Sequence, residues 1–73
     1  MSSPRKYRIR IQGDLDPSWS GRLGGMTIDV DRTLSPHQAV LTGSLPDHSA
    51  LSGVMNSLVD LWQLVLSVET LES

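Results

Sequence analysis

Apolar and polar residues alternate along KYRIRIQGD, residues 6–14. Tyr7, Ile9 and Ile11 fall on one side, and Lys6, Arg8, Arg10 and Gln12 on the other. A period of two marks a half-buried strand, which Gly13-Asp14 ends. The alternation returns in MTIDVD, residues 26–31, with Met26, Ile28 and Val30 inward and Thr27, Asp29 and Asp31 outward. DRTLSPH (31–37) has turn chemistry at Ser35-Pro36, and QAVLTGSL (38–45) predicts a third strand. One face of that strand is Ala39, Leu41, Gly43 and Leu45, with Val40 on the other. After Pro46 the period changes. Leu51, Val54, Met55, Leu58 and Trp62 follow helical spacing behind an Asp47 cap. Gly53 inside this helix costs about 1 kcal/mol relative to Ala, which close approach of another backbone would explain. LVLSVETL (64–71) alternates again, Leu64, Leu66 and Val68 against Val65, Ser67 and Glu69, and predicts a fourth strand. The joint at Trp62-Gln63 lacks Gly or Pro, so a helix running on to residue 70 is the competing reading.

The segment LDPSWSGRLGG (15–25) is the least regular. Asp16-Pro17 has the chemistry of an N-cap followed by proline at the first helical position, and Gly24-Gly25 that of a stop. One helical turn or a wide loop is expected, with Trp19 and Leu23 on a shared face. The fold class is therefore α+β: a four-stranded, mainly antiparallel sheet in the order β-β-β-α-β, covered on one face by one helix. In one topology the first three strands form a meander and the helix returns the chain to strand one. In the alternative, residues 15–25 cross over as a very short first helix, giving the ferredoxin-like βαββαβ order. Eleven residues are close to the minimum for such a crossover, so the meander is the favoured reading.

Length and composition limit what this sheet can do. The chain has 73 residues and no cysteine, enough for one small domain (1–73, with 1–5 expected to fray), and disulfides or a Cys-based zinc site cannot reinforce it. The 28 apolar residues, with eleven Leu and six Val, supply a core. All six basic residues lie in the first 32 positions, which carry a net +2, while the remainder carries −4. An acidic total argues against general nucleic-acid binding. The N-terminus has no apolar h-region, and no apolar run approaches the ~20 residues of a membrane span. A cytoplasmic, non-membrane protein is expected.

The face of the sheet opposite the helix should carry Lys6, Arg8, Arg10 and Gln12 beside Thr27, Asp29 and Asp31. Cross-strand pairs of Arg8 and Arg10 with Asp29 and Asp31 explain the basic strand more simply than a nucleic-acid platform, which would need aromatics there. Tyr7 points the other way. His37 and His48 sit at turns with poor ligand spacing, and no metal site is expected. The pairs Asp14/Asp16 and Asp29/Asp31 are common DxD spacings without a calcium loop. SWSGRLGG lacks both phosphate-loop spacings. Catalysis and cofactors are not expected. Trp62 is read as core from its place on the helical stripe. Trp19 and Arg22 are the residue types that anchor interfaces. Val65, Leu71, Val59 and Leu61 fall off the inward stripes and form an apolar band, which in a small domain points to a partner. The candidate interaction residues are Trp19, Arg22, Leu23, Trp62, Val65 and Leu71.

The runs YRIRIQGDLDPSWSGRLGGMTI, LTGSLPDHSALSGVMNSLVDL and LVLSV resemble small uncharacterised bacterial single-domain proteins. That group pairs a YxIxVxGxL strand and a Trp-Gly-Gly turn with an LTGxLxDxxALxG helix entry and an LLSV strand. The resemblance covers residues 7–68, departs at Trp62-Gln63, and implies no activity. The expected function is a non-enzymatic interaction or assembly module, self-associating as a homodimer or binding a larger protein. The alternatives are a small-ligand regulatory domain with Trp19 and the 15–25 loop as a lid, or a nucleic-acid-binding sheet acting through Arg8 and Arg10.

Overall fold

A computed structural model describes residues 4–13 and 15–71, so the Asp14 half of the Asp14/Asp16 pair lies outside the described residues. The strands are β1 (Arg5–Gln12), β2 (Thr27–Asp31), β3 (Gln38–Leu45) and β4 (Leu64–Leu71). A short 3₁₀ segment, Pro17–Arg22, joins β1 to β2, and the helix α1, His48–Asp60, joins β3 to β4. The sheet order is β2-β3-β1-β4, with every neighbouring pair antiparallel. The α+β class and its single helix are as expected. The meander is not: β3, rather than β2, lies beside β1. The strand order is that of the ferredoxin-like alternative, with the 3₁₀ segment in place of the first helix.

Local chemistry explains how so few residues make the crossover. Asp16 caps the 3₁₀ segment, its Oδ1 accepting from the Ser18 N–H at 2.9 Å, and Pro17 follows with φ already set. Leu15 and Leu23, at the two ends, are both buried and pin the segment to the core. Gly24 and Gly25 then turn the chain into β2 with φ of 69° and 73°. A side chain at Gly24 would press on Leu45 and Val54, so the turn sits directly beneath α1.

The core is one layer between the sheet and α1. Tyr7, Ile9 and Ile11 from β1, Ile28 from β2, and Ala39, Leu41 and Leu45 from β3 meet Val54 and Leu58, with Leu15, Leu23 and Met26 closing the end. Asp47 caps α1 as expected, accepting from the Ala50 N–H at 2.9 Å. A Cβ built at Gly53 meets no atom within 4 Å, so no neighbour among the described residues uses the missing side chain.

Three expectations change. Trp62 is not core: it is 94% exposed. The helix ends at Asp60, two residues before it, through a Schellman closure, in which the Gln63 N–H reaches the Leu58 carbonyl at 3.0 Å and the Trp62 N–H that of Val59 at 2.9 Å. Trp62 holds the left-handed position of that motif, φ 60°, which turns its side chain away from the stripe. The ion pairs of Arg8 and Arg10 with Asp29 and Asp31 do not form, because β3 stands between the strands. Arg10 faces Val40, which in turn faces Asp29. The Arg10 Nε instead lies 4.0 Å from Glu69 of β4, both side chains being solvent-exposed. Lastly, the inward and outward sets of β4 are not the simple alternation expected, for a reason that lies in its pairing with β1.

Candidate interaction surface

β1 dictates how β4 is presented. From Lys6↔Leu71 to Arg10↔Ser67 the two strands pair residue by residue; the register then slips, and Ile11 pairs with Val65 and Gln12 with Leu64. Leu66 is the extra residue of this bulge. Partners across a ladder share a face. Val68, Thr70 and Val65 therefore lie on the face of Ile9, Tyr7 and Ile11, toward the helix. Leu64, Ser67, Glu69 and Leu71 lie on the open face with Gln12, Arg10, Arg8 and Lys6.

The helix touches β4 only sparsely. Its flank of Ser57, Asp60 and Leu61 faces the 3₁₀ segment, which packs against β2 at the far edge of the sheet. At 100° per residue, Leu51, Met55 and Val59 form the opposite flank, on the β4 side. Half-buried Leu51 and Met55 grade into exposed Val59. Beyond them Leu64, Leu66 and Val68 are 58%, 43% and 41% exposed. With Trp62 between α1 and β4, these exposed side chains give the β4 edge of the sheet an apolar margin, Val68 on its helix side and Leu64 on its open side. Exposed apolar surface of this kind marks interaction sites.

The residues singled out from sequence divide between this margin and elsewhere. Trp62 is its most exposed member. Val65 belongs to the same strand but is half-buried against the core. Leu71 is half-buried on the open face beside Lys6. Leu23 is fully buried and therefore unavailable to any partner, because it anchors the end of the 3₁₀ segment. Trp19 is half-buried against the core, and the Arg22 guanidinium stacks over its ring at 5.2 Å from the centroid. These two lie on the β2 side and line a shallow cleft of about 120 Å³ with Ser57, Asp60 and Leu61. The structure thus separates Trp19 and Arg22 from Trp62, Val65 and Leu71. Sequence reasoning missed Leu64, Leu66 and Val68; the available signal was that residues 64–71 contain no Lys, Arg or Pro.

Perturbed ionisation lies away from the margin. Asp16 is held below the ordinary carboxylate value of 3.8 by the hydrogen bond from the Ser18 N–H, then by its hydroxyl, with Arg32 adding a smaller effect. Asp31 is lowered first by the Thr33 hydroxyl and then by its N–H, which approach the same Oδ1 at 2.5 and 3.0 Å. Both groups act as turn caps. Among the described residues no group of three or more His, Cys, Asp or Glu is placed to hold a metal ion, and no helix is long and apolar enough to cross a membrane.

The family model described as Domain of unknown function (DUF8691) matches residues 6–69, and the chain belongs to that family. No curated protein and no solved structure matches the chain.

Proposed function

We propose that this family member is a self-associating protein-interaction module whose working surface is the margin of Trp62, Leu64, Leu66 and Val68. The observation that carries this reading is Trp62. A tryptophan in the left-handed region is strained, by roughly 1–2 kcal/mol, where glycine is the usual occupant. It is also 94% exposed, so its side chain gains almost no packing against the described residues to offset that strain. Burial against a partner would offset it, and tryptophan is the residue type most enriched among interface anchors.

A small-ligand role for the Trp19 cleft has weaker support, since ligand pockets are typically ~300–1,000 Å³ and this cleft holds about 120 Å³. The test is the mass of the full chain across concentration by analytical ultracentrifugation. The expected result is a shift from 8.0 kDa toward twice that value. A mass that stays at the single-chain value into the millimolar range overturns the proposal.

A further inference from the structure

We infer that β4 pairs antiparallel with β4 of a second copy, joining two four-stranded sheets into one continuous sheet about a twofold axis between Leu66 and Ser67. This rests on the self-association reading and says how the copies meet.

The two edges of the sheet are unlike. β2 is five residues long and carries Asp29 and Asp31. β4 is eight residues long, with Glu69 its only charge and neither Lys nor Pro along its length. Short length, charge, Lys, Pro and bulges are the devices by which proteins keep sheet edges from pairing; β2 combines short length with two charges, whereas β4 spreads one charge and the bulge at Leu66 over eight residues. An unpaired strand edge presents a row of N–H and C=O groups that another strand satisfies, and charge chooses between the two edges of a second copy. β2 would bring Asp29 and Asp31 alongside Glu69, and its head-to-tail contact would not close. β4 on β4 closes after two copies.

The bulge selects the register. Antiparallel pairing about a twofold keeps helix-side residues opposite helix-side residues. Because the faces exchange phase at Leu66, an offset centred near the bulge meets this condition on both sides of it. Setting Leu66 opposite Ser67 of the other copy pairs helix-side Val65 with helix-side Val68, and open-face Leu64 with open-face Glu69. The two Glu69 carboxylates then lie well apart. Centring on Ser67 sets Val65 against Glu69, on opposite faces. Centring on Glu69 keeps the faces over residues 67–71 alone and opposes the two carboxylates directly. The chosen register also sets each exposed Val68 against the half-buried Val65 of the other copy on the helix-side face.

The absence of cysteine makes the test clean. Leu64 and Glu69 are both exposed, so Leu64→Cys and Glu69→Cys are each made alone. Equivalent positions lie five residues apart along the paired strands, about 17 Å, beyond the ~7 Å Cα separation a disulfide tolerates. Residues 64 and 69 of different copies lie directly opposite. Each variant alone should therefore stay uncrosslinked under mild oxidation, and an equimolar mixture should crosslink. Crosslinking of either variant alone overturns the register. No crosslinking in the mixture, with mass still rising with concentration, overturns this register and leaves self-association standing. A mass that never rises overturns both. Hydrogen exchange of the unmodified chain checks the result without substitution. Amides along β4 should gain protection as concentration rises, and protection independent of concentration, in a chain whose mass does rise, sinks the pairing itself.

Discussion

Replacing Trp62 by glycine should stabilise the folded monomer while weakening its association. The left-handed backbone at Trp62, φ 60°, disfavours a side chain by roughly 1–2 kcal/mol. Glycine removes that strain but widens the unfolded ensemble, which returns roughly 0.4–1 kcal/mol. The side chain being 94% exposed, almost no burial is lost. The Schellman hydrogen bonds of Trp62 and Gln63 come from the backbone and survive the change. The net gain is about 0.5–1 kcal/mol, a rise of a few degrees in Tm for a domain of this size. Urea unfolding followed by far-ultraviolet circular dichroism, at a concentration low enough to keep the chain monomeric, measures it. Cm should rise with an unchanged slope. In ultracentrifugation the same variant should need a higher concentration to associate. A fall in Cm equivalent to 1 kcal/mol or more would refute the reasoning, because it would mean that Trp62 packs within its own copy. Unaltered association would remove Trp62 from the interface.

Other perturbations test the scaffold that presents this surface. Gly24→Ala should cost about 1–3 kcal/mol more than Gly25→Ala: both share a left-handed φ, but only the first meets Leu45 and Val54 under the helix. Equal losses in urea unfolding would show that the turn does not sit beneath α1. Asp47→Ala should lose about 1 kcal/mol by removing the cap on Ala50; an unchanged Cm would show the cap to be idle. Thr33→Val removes the hydroxyl that lowers Asp31, so the Asp31 pKa, followed by NMR, should move up toward 3.8. Because the folded value is depressed, the stability it contributes is full above the ordinary carboxylate range and fades as pH falls through it. The variant should therefore show a shallower acid loss than the parent.

Much of the fold was legible because it rests on local chemistry. The alternation in residues 6–12 and 26–31, the helical spacing from Leu51 to Leu58, and the caps Asp16 and Asp47 each depend on neighbours a few positions away. The strand order was not, since it depends on whether eleven residues can cross a sheet. They can, because Leu15 and Leu23 bury both ends of a compact 3₁₀ segment and Gly24-Gly25 turn sharply. At the candidate surface, Trp62 followed the helical stripe in sequence and left it in space, because helix termination turns on a backbone angle that a tryptophan does not advertise. The phase of β4 was hidden for a related reason: one extra residue opposite β1 shifts which side chains share a face, and nothing in LVLSVETL announces it.

The sheet order also bears on how the chain assembles in time. β1 is interior to the sheet, yet both of its neighbours come from much later in the chain: Ile9 pairs with Leu41 and with Val68. As the protein is synthesised, β1 emerges first and must wait with both edges open until β3 and then β4 appear. Topologies dominated by such distant pairings fold slowly. The β2–β3 hairpin, whose register Val30↔Ala39 closes over a short loop, can form meanwhile and serve as the template onto which β1 docks. A nascent chain lacking β4 would expose β1 as its edge, with Arg8 and Arg10 along it. The basic residues that find no Asp partners in the finished fold would then help keep the unfinished sheet from pairing with its neighbours.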